Sequence, residues 1–156
     1  MSNRKVLLDT SPFVVLVVGS VDPGLLGSSQ HLKAFAPEDW VILDEFLAGF
    51  GALAITPHVA TEAAHFIGKI SGQRGKHVRV RLVEVLNAVR ERSAASKIAA
   101  ARREFAWLDL ADCSLLEAGR PQDTLLSTDA VLVNRYLELG RPAVNFNHLR
   151  EQAGVL

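Results

Sequence analysis

Four acidic side chains occupy similar places beside predicted strands and helices: Asp9, Glu62, Asp112 and Asp129. Asp9 and Asp129 follow short apolar stretches that are typical of buried strands, whereas Glu62 and Asp112 lie early in predicted helices. In a parallel sheet, the carboxyl ends of the strands and the first turns of the following helices meet at one edge. We therefore expect the four carboxylates to converge there.

Carboxylates with few histidines beside them favour a hard divalent cation, Mg²⁺ or Mn²⁺, over zinc. An ion held in this way keeps water ligands and can orient one of them as a nucleophile. One or two such ions can also stabilise the charge on a phosphodiester during displacement. The acidic residues therefore predict metal-dependent phosphodiester chemistry.

Each carboxylate also has a purely structural explanation. Asp9 could accept hydrogen bonds from backbone N–H groups in its turn, and Glu62 could be a solvated helix residue. Asp112 could complete a capping box with Asp109, and Asp129 could cap its own helix. Each of these roles is commoner than catalysis. Like charges gathered without a cation repel one another, however, so four together favour a functional site.

Short apolar stretches alternate with helical patterns, which predicts an α/β fold with a parallel sheet and helices on both faces. The predicted strands are 5–8, 52–55, 124–127 and 143–146. The predicted helices are 12–20, 37–50, 57–67, 76–92, 93–107, 109–119 and 129–139, with a short one at the C-terminal end. We expect one domain of 156 residues, with four or five strands and 5–8 at the centre.

Two hydroxyl–proline pairs predict where helices begin. Ser11-Pro12 and Thr56-Pro57 each combine a capping hydroxyl with a proline at the first helical position, where no hydrogen bond is lost. Residues 21–36 show no periodic pattern of apolar residues and are predicted to form a long loop. Residues 68–75 are interrupted by glycine and are predicted to form a polar turn.

The chain has no net charge, but its charges are unevenly distributed. Residues 69–103 contain ten of the seventeen Lys and Arg residues and two of the seventeen acids, so they carry +8 and the remainder −8. This asymmetry predicts contact with nucleic acid, and a solvated helix face is the alternative. The predicted RNA-binding residues are Arg74, Lys76, Arg79 and Arg81. A flexible turn at 72–75 would bring Arg74 to the rim of the acidic site.

Cysteine content and hydropathy indicate in which cellular compartment the protein works. Cys113 is the only cysteine, which excludes a disulfide framework and favours a reducing cytoplasm. The apolar run 13–18 is too short to span a bilayer. Asp9-Thr10-Ser11-Pro12 interrupts any signal-peptide core. We predict a cytoplasmic protein without membrane association.

Several blocks of the sequence resemble the acidic blocks of PIN-domain ribonucleases. These blocks are Leu7-Leu8-Asp9-Thr10-Ser11, Thr56-Pro57-His58-Val59-Ala60-Thr61-Glu62, Leu110-Ala111-Asp112 and Leu126-Ser127-Thr128-Asp129. The stretch Ala143-Val144-Asn145-Phe146-Asn147 is similar to the last strand of many members. The blocks follow the order of the family and cover most of the chain.

The resemblance implies a three-layer α/β/α fold, cleavage of RNA that depends on Mg²⁺ or Mn²⁺, and a frequent homodimer. Many members are toxins that a small antitoxin protein neutralises. By resemblance, the metal-binding and catalytic residues are Asp9, Glu62, Asp112 and Asp129. Thr10 and Thr128 would be polar neighbours of that site.

The sequence lacks residues that several other enzyme classes need. Glu62 and His65 form a Glu-x-x-His pair, but a di-iron site needs a second pair, which the sequence lacks. No Gly-x₄-Gly-Lys-Ser/Thr phosphate loop and no Gly-x-Ser-x-Gly elbow occur. Cys113 has no evident histidine partner as a nucleophile. The main alternative is a catalytically inactive PIN-like module that binds RNA or protein.

Overall fold

The structure is a computed structural model that describes residues 3–28 and 32–156. Within these residues the strands are β1 (Lys5–Leu8), β2 (Ala52–Ile55), β3 (Arg90–Glu91), β4 (Thr124–Ser127) and β5 (Ala143–Asn145). The α-helices of the same residues are α1 (Thr10–Val21), α2 (Pro37–Leu47), α3 (Pro57–Ile67), α4 (Gly72–Ala88), α5 (Ser96–Ala100), α6 (Leu110–Ala118), α7 (Ala130–Glu138) and α8 (Phe146–Gln152). Short 3-10 helices cover Pro23–Leu25 and Arg103–Ala106.

In the described part of the chain, five strands form one parallel sheet in the order β3-β2-β1-β4-β5. The central strand is β1, as predicted, and Val6 pairs with Leu53 on one side and Thr124 on the other. Val6, Leu7 and Leu8 are fully buried. A strand that is covered on both faces needs this continuous apolar sequence.

The helices lie in two layers, which confirms the predicted α/β/α sandwich. The path from β1 through β2 to β3 moves toward one edge of the sheet, whereas the path from β4 to β5 moves toward the other. Right-handed crossovers therefore place α1 to α4 on one face, and α6 and α7 on the opposite face. The contacts between helices agree with this placement. On one face, α1 packs on α2, α3 and α4. On the other, the Tyr136 hydroxyl of α7 donates to the Leu115 carbonyl of α6.

Helix α1 begins at Thr10, two residues earlier than Ser11-Pro12 predicts. Its N-cap is Asp9, whose carboxylate accepts a hydrogen bond from the backbone N–H of Thr10. Pro12 then lies within the first turn, where N–H groups have no intrahelical acceptor, so the proline costs no hydrogen bond. The helix after Thr56-Pro57 does begin as predicted, with Thr56 as its cap.

The predicted turn at 68–75 is wrong in its second half, because α4 already begins at Gly72. Gly75 allows the first turn of that helix to pack closely against Ile70, which precedes it. A Cβ atom on Gly75 would lie 2.0 Å from the carbonyl oxygen of Ile70. The same helix ends at Ala88 rather than at residue 92, and Arg90–Glu91 then form the edge strand β3.

The continuous helix predicted at 93–107 is also wrong. The structure has only α5 and the 3-10 helix Arg103–Ala106 there, because Glu104 is buried and paired with Arg102 and Arg135. These ion pairs override the helical propensity of an alanine-rich segment. The predicted loop 21–36 contains the 3-10 helix Pro23–Leu25, and its residues 29–31 lie outside the described residues.

In the described residues, no helix combines the length and the apolar character that crossing a lipid bilayer demands.

Candidate active site

Asp9 lies at the centre of the candidate site, at the junction between β1 and α1. Its side chain is buried, with 8% of the residue exposed. One carboxylate oxygen, Oδ1, accepts a hydrogen bond from the backbone N–H of Thr10 at 2.8 Å. The other, Oδ2, accepts from the hydroxyl of Ser127 at 2.6 Å. The carboxylate therefore has a fixed orientation.

Ser127 ends β4 and links Asp9 to Asp129. Its Oγ atom accepts a hydrogen bond from the backbone N–H of Asp129 at 2.9 Å while it donates to Asp9. The Asp129 carboxylate caps α7 by accepting from the N–H groups of Val131 and Leu132. Two strand ends and two helix starts are thus joined at the carboxyl edge of the sheet.

Asp112 lies in the first turn of α6 and is 7% exposed. The residue that caps this helix is Asp109, whose Oδ1 atom accepts from the backbone N–H of Asp112 at 2.8 Å. The start of α6 is also held against α3, because Thr56 and Ser114 share a buried hydrogen bond of 2.8 Å. This bond fixes the position of Asp112 relative to the helix that carries Glu62.

Electrostatic repulsion connects these carboxylates. Burial raises the pKa of Asp9 to about 6, against the hydrogen bonds from Ser127 and Thr10. The charges of Asp109 and Glu62 contribute to the same upward shift in the pKa of Asp9.

Burial likewise raises the pKa of Asp112 to about 8, and the charges of Asp9, Asp109 and Asp129 add to this shift. The predicted four carboxylates therefore share one electrostatic site, together with a fifth, Asp109. The spacing of Asp109 and Asp112 places them on adjacent positions of a helical turn, and that signal could have added Asp109 to the predicted set.

Glu62 lies at the side of the cluster, half-buried on α3. It lines an open groove of about 1010 Å³ between α3 and residues 93–96. Ala111, which precedes Asp112, forms part of the same groove. His58 Nε2 and Ser96 Oγ are 2.8 Å apart and hold the two walls together. A substrate in this groove would therefore lie against the acidic cluster.

Thr10 and Thr128, the two predicted polar neighbours of the acidic site, differ in their surroundings. Thr10 is 4% exposed, and its hydroxyl has no hydrogen-bond partner among the described residues. An unpaired buried hydroxyl is costly, which is consistent with a ligand beside Asp9 that would complete its hydrogen bonding. Thr128 takes part through its backbone carbonyl, which accepts from the side-chain amide of Asn147 at 3.5 Å.

The donor atoms suit Mg²⁺ or Mn²⁺, but the present geometry does not form a finished metal site. Oxygen donors dominate the cluster, as these ions require. Within residues 3–28 and 32–156, however, no three His, Cys, Asp or Glu side chains are grouped closely enough to hold an ion. The binding of a metal ion by Asp9, Glu62, Asp112 and Asp129 stays a prediction.

The basic residues predicted to bind RNA lie away from this cluster. Arg74 pairs with Asp22 at 3.5 Å, and Arg81 donates to the carbonyl of Ser20. Both partners are at the C-terminal end of α1, whereas Asp9 caps its other end. A helix of twelve residues separates the two ends by about 18 Å.

Arg79 contacts the end of α3, through the carbonyl of Gly68. Lys76 lies between Arg74 and Arg79 on α4. The expectation that a turn at 72–75 brings Arg74 to the acidic rim is therefore wrong. RNA binding by these four residues stays a prediction that the site geometry does not favour.

No family model matches the sequence, and no curated protein is found to be similar to it. The resemblance to PIN domains thus depends on the order of the acidic blocks. The structure independently brings the carboxylates of those blocks to one edge of a parallel sheet.

Proposed function

We propose that this chain is a divalent-metal-dependent ribonuclease that hydrolyses RNA phosphodiester bonds at the carboxyl edge of its sheet. The observation that carries the proposal is the pair of buried carboxylates, Asp9 and Asp112, which come from distant parts of the chain, with the charge of Asp9 raising the pKa of Asp112. Two buried like charges are unfavourable unless a cation accompanies them. The proposed ligands are Asp9, Glu62, Asp112 and Asp129.

The protein's own groups have separable roles in this proposal. Ser127 orients the Asp9 carboxylate, and the capping bonds of α6 and α7 hold Asp112 and Asp129 near it. The groove beside Glu62 accommodates the substrate next to these carboxylates. A bound Mg²⁺ or Mn²⁺ would supply an oriented water nucleophile and charge stabilisation.

RNA as the substrate is supported by the PIN-like blocks and by the charge of residues 69–103. That segment carries +8 and includes residues 93–96 of the groove wall. Phosphodiester substrates are attracted by such a field. A toxin role with an antitoxin partner, a homodimer and a cytoplasmic location are further predictions from the resemblance and composition.

Thermal unfolding with Mn²⁺ tests the metal site directly. Protein stripped with EDTA should show a rise in melting temperature as Mn²⁺ is added, because the ion binds only the folded cluster. Asp112→Asn should abolish the rise, whereas Asp44→Asn, an exposed acid on α2, should leave it unchanged. Metal-dependent cleavage of RNA by the parent protein, and its loss in Asp9→Asn, would complete the evidence.

A second candidate function is a PIN-like module that binds RNA or protein without cleaving it. The absence of a three-ligand group among the described residues favours this alternative. In that case Mn²⁺ should cause no specific change in melting temperature, and Asp112→Asn should bind RNA as the parent does. A specific Mn²⁺ response together with cleavage would exclude it.

A further inference from the structure

The strongest unexplained surface feature is a pair of exposed aromatic side chains on the segment that leads to Asp109, the cap of α6. Phe105 is 47% exposed and Trp107 is 49% exposed. Among the described residues, they are the aromatic members of an otherwise aliphatic set of large exposed hydrophobic side chains. We give the name aromatic ledge to the exposed side chains of one short segment, Lys97, Arg103, Phe105 and Trp107.

The backbone of the aromatic ledge is firmly anchored. Glu104, between Arg103 and Phe105, is 1% exposed, and its carboxylate bonds to Arg102 at 3.2 Å and to Arg135 at 2.9 Å. The carbonyl of Glu104 accepts from the N–H of Trp107 at 3.0 Å and from Leu108 at 2.8 Å. The aromatic residues are therefore presented to solvent by a fixed turn, so their exposure is not the result of a loose segment.

The aromatic ledge lies at the acidic edge of the sheet. Trp107 precedes Asp109, the cap of α6, by two residues, which limits their Cα separation to about 7.6 Å. The Asp109 carboxylate in turn raises the pKa values of both Asp9 and Asp112. A molecule bound on the ledge is thus within reach of the proposed reaction centre.

The charge of the aromatic ledge indicates which class of molecule it can bind. Lys97 and Arg103 are exposed, and no carboxylate of the described residues forms an ion pair with either. Exposed aromatic rings and unpaired cations on one segment match a single-stranded nucleic acid, whose bases stack on the rings while its phosphates meet the cations. A duplex does not fit, because its bases are already stacked on one another.

We infer that the aromatic ledge binds unpaired RNA bases by stacking on Phe105 and Trp107, and so delivers a single-stranded segment to the carboxylates. This inference rests on the proposed function for the identity of the nucleic acid. The ledge itself acts in binding, so it can be tested without metal and without cleavage.

Fluorescence provides the direct test, since Trp40 and Trp107 are the two tryptophans of the chain. In the variant Trp40→Phe, all tryptophan emission comes from Trp107. Addition of a ten-nucleotide single-stranded RNA in EDTA should quench this emission, and the same sequence annealed as a duplex should quench it much less. Equal quenching by both forms, or none by either, would overturn the inference.

The RNA affinity of side-chain variants tests whether Phe105 and Trp107 stack on RNA bases. Trp107→Ala and Phe105→Ala should each weaken binding of a labelled single-stranded RNA by about fivefold to a hundredfold, as the loss of one stacked base predicts. Trp107→Phe should retain most of the affinity. Val83→Ala is the matched control, because Val83 is 58% exposed on α4. If Trp107→Ala binds as tightly as Val83→Ala, the ledge does not bind RNA.

The outcome can be separated from that of the proposed function. Trp107→Ala should keep the full Mn²⁺-dependent rise in melting temperature, because the ledge contributes no ligand to the metal. Binding of single-stranded RNA without metal-dependent cleavage would support the ledge and refute the ribonuclease. Cleavage and RNA affinity that are both unchanged in the double variant Phe105→Ala/Trp107→Ala would refute the ledge alone.

Discussion

The Ser127 hydroxyl donates a hydrogen bond of 2.6 Å to the buried carboxylate of Asp9, across 118 positions of the sequence. This bond crosses from the end of β4 to the end of β1, which are neighbouring strands. The orientation of the central carboxylate therefore depends on sheet pairing as well as on its own turn. Such an arrangement couples the folding of the sheet to the assembly of the site.

Removal of this hydroxyl should affect both stability and metal binding. Ser127→Ala leaves Asp9 without its strongest side-chain donor and leaves the N–H of Asp129 without its acceptor. We expect a loss of about 1–3 kcal/mol in the free energy of unfolding, measured with urea. The pKa of Asp9 should rise above about 6, because the lost bond favours the ionised form.

Ser20→Ala is the matched control for this change. Its hydroxyl donates to the carbonyl of Val17 at 2.9 Å, near the other end of α1. The substitution should lower stability slightly and leave the Mn²⁺ response as it is in the parent. A Ser127→Ala protein with the stability and Mn²⁺ affinity of the parent would show that the bond to Asp9 has no energetic role.

The metal-free protein should lose stability as the pH rises from about 4 to about 8. Asp9 and Asp112 have folded-state pKa values of about 6 and about 8, above the value of 3.8 that both would have in the unfolded chain. Within this window the folded protein binds more protons than the unfolded chain, so each rise in pH favours unfolding. The slope should reach at most about 1.4 kcal/mol per pH unit for each group.

Urea unfolding in EDTA between pH 4 and pH 9 measures this dependence. Saturating Mn²⁺ should flatten the profile above pH 6, since a bound cation replaces the protons. Stability that increases steadily up to pH 8 in EDTA would contradict the mutual repulsion of these carboxylates.

Asp112→Asn should stabilise the metal-free protein at pH 8 and above. The substitution removes a buried negative charge that Asp9, Asp109 and Asp129 repel, and it keeps nearly the same shape. We expect a gain of about 1–3 kcal/mol over the parent in EDTA. Asp44→Asn, on the surface of α2, should change stability by less than about 0.5 kcal/mol. A less stable Asp112→Asn protein at pH 8 would show that this carboxylate is stabilised by a partner.

Two pairs of basic residues should differ in their effect on RNA binding. Lys97→Ala/Arg103→Ala should weaken binding of single-stranded RNA and lower the slope of log affinity against log salt by about one to two. Arg74→Ala/Lys76→Ala should leave the slope unchanged, because Arg74 pairs with Asp22 at the opposite end of α1 from the carboxylates. The reverse result would place the RNA along α4.

Local chemistry in the sequence was sufficient to predict most of the elements, whereas the metal-binding role of the four carboxylates stays a prediction. Thr56 and Asp109 are helix caps as predicted, and Asp129 caps α7. Buried parallel strands need continuous apolar residues, so β1 and β4 were identified from short apolar runs. These features depend on neighbouring residues, which a single sequence displays directly.

The errors arose where distant residues decide the local structure. The break at residues 101–106 depends on Arg135, which lies on α7 and pairs with Glu104. The role of Ser127 likewise depends on which strands are neighbours. Strand order and side-chain pairing are long-range properties that spacing alone does not determine.

The two outermost strands are unusually short, and this limits how one molecule can extend the sheet of another. Strand β3 has two residues, both charged and exposed, and β5 has three. Such edges offer few free backbone groups in register, and charge on an edge opposes strand addition. We therefore expect the folded protein to resist aggregation by edge-to-edge pairing of sheets at high concentration. Any self-association should use side-chain surfaces of the helices.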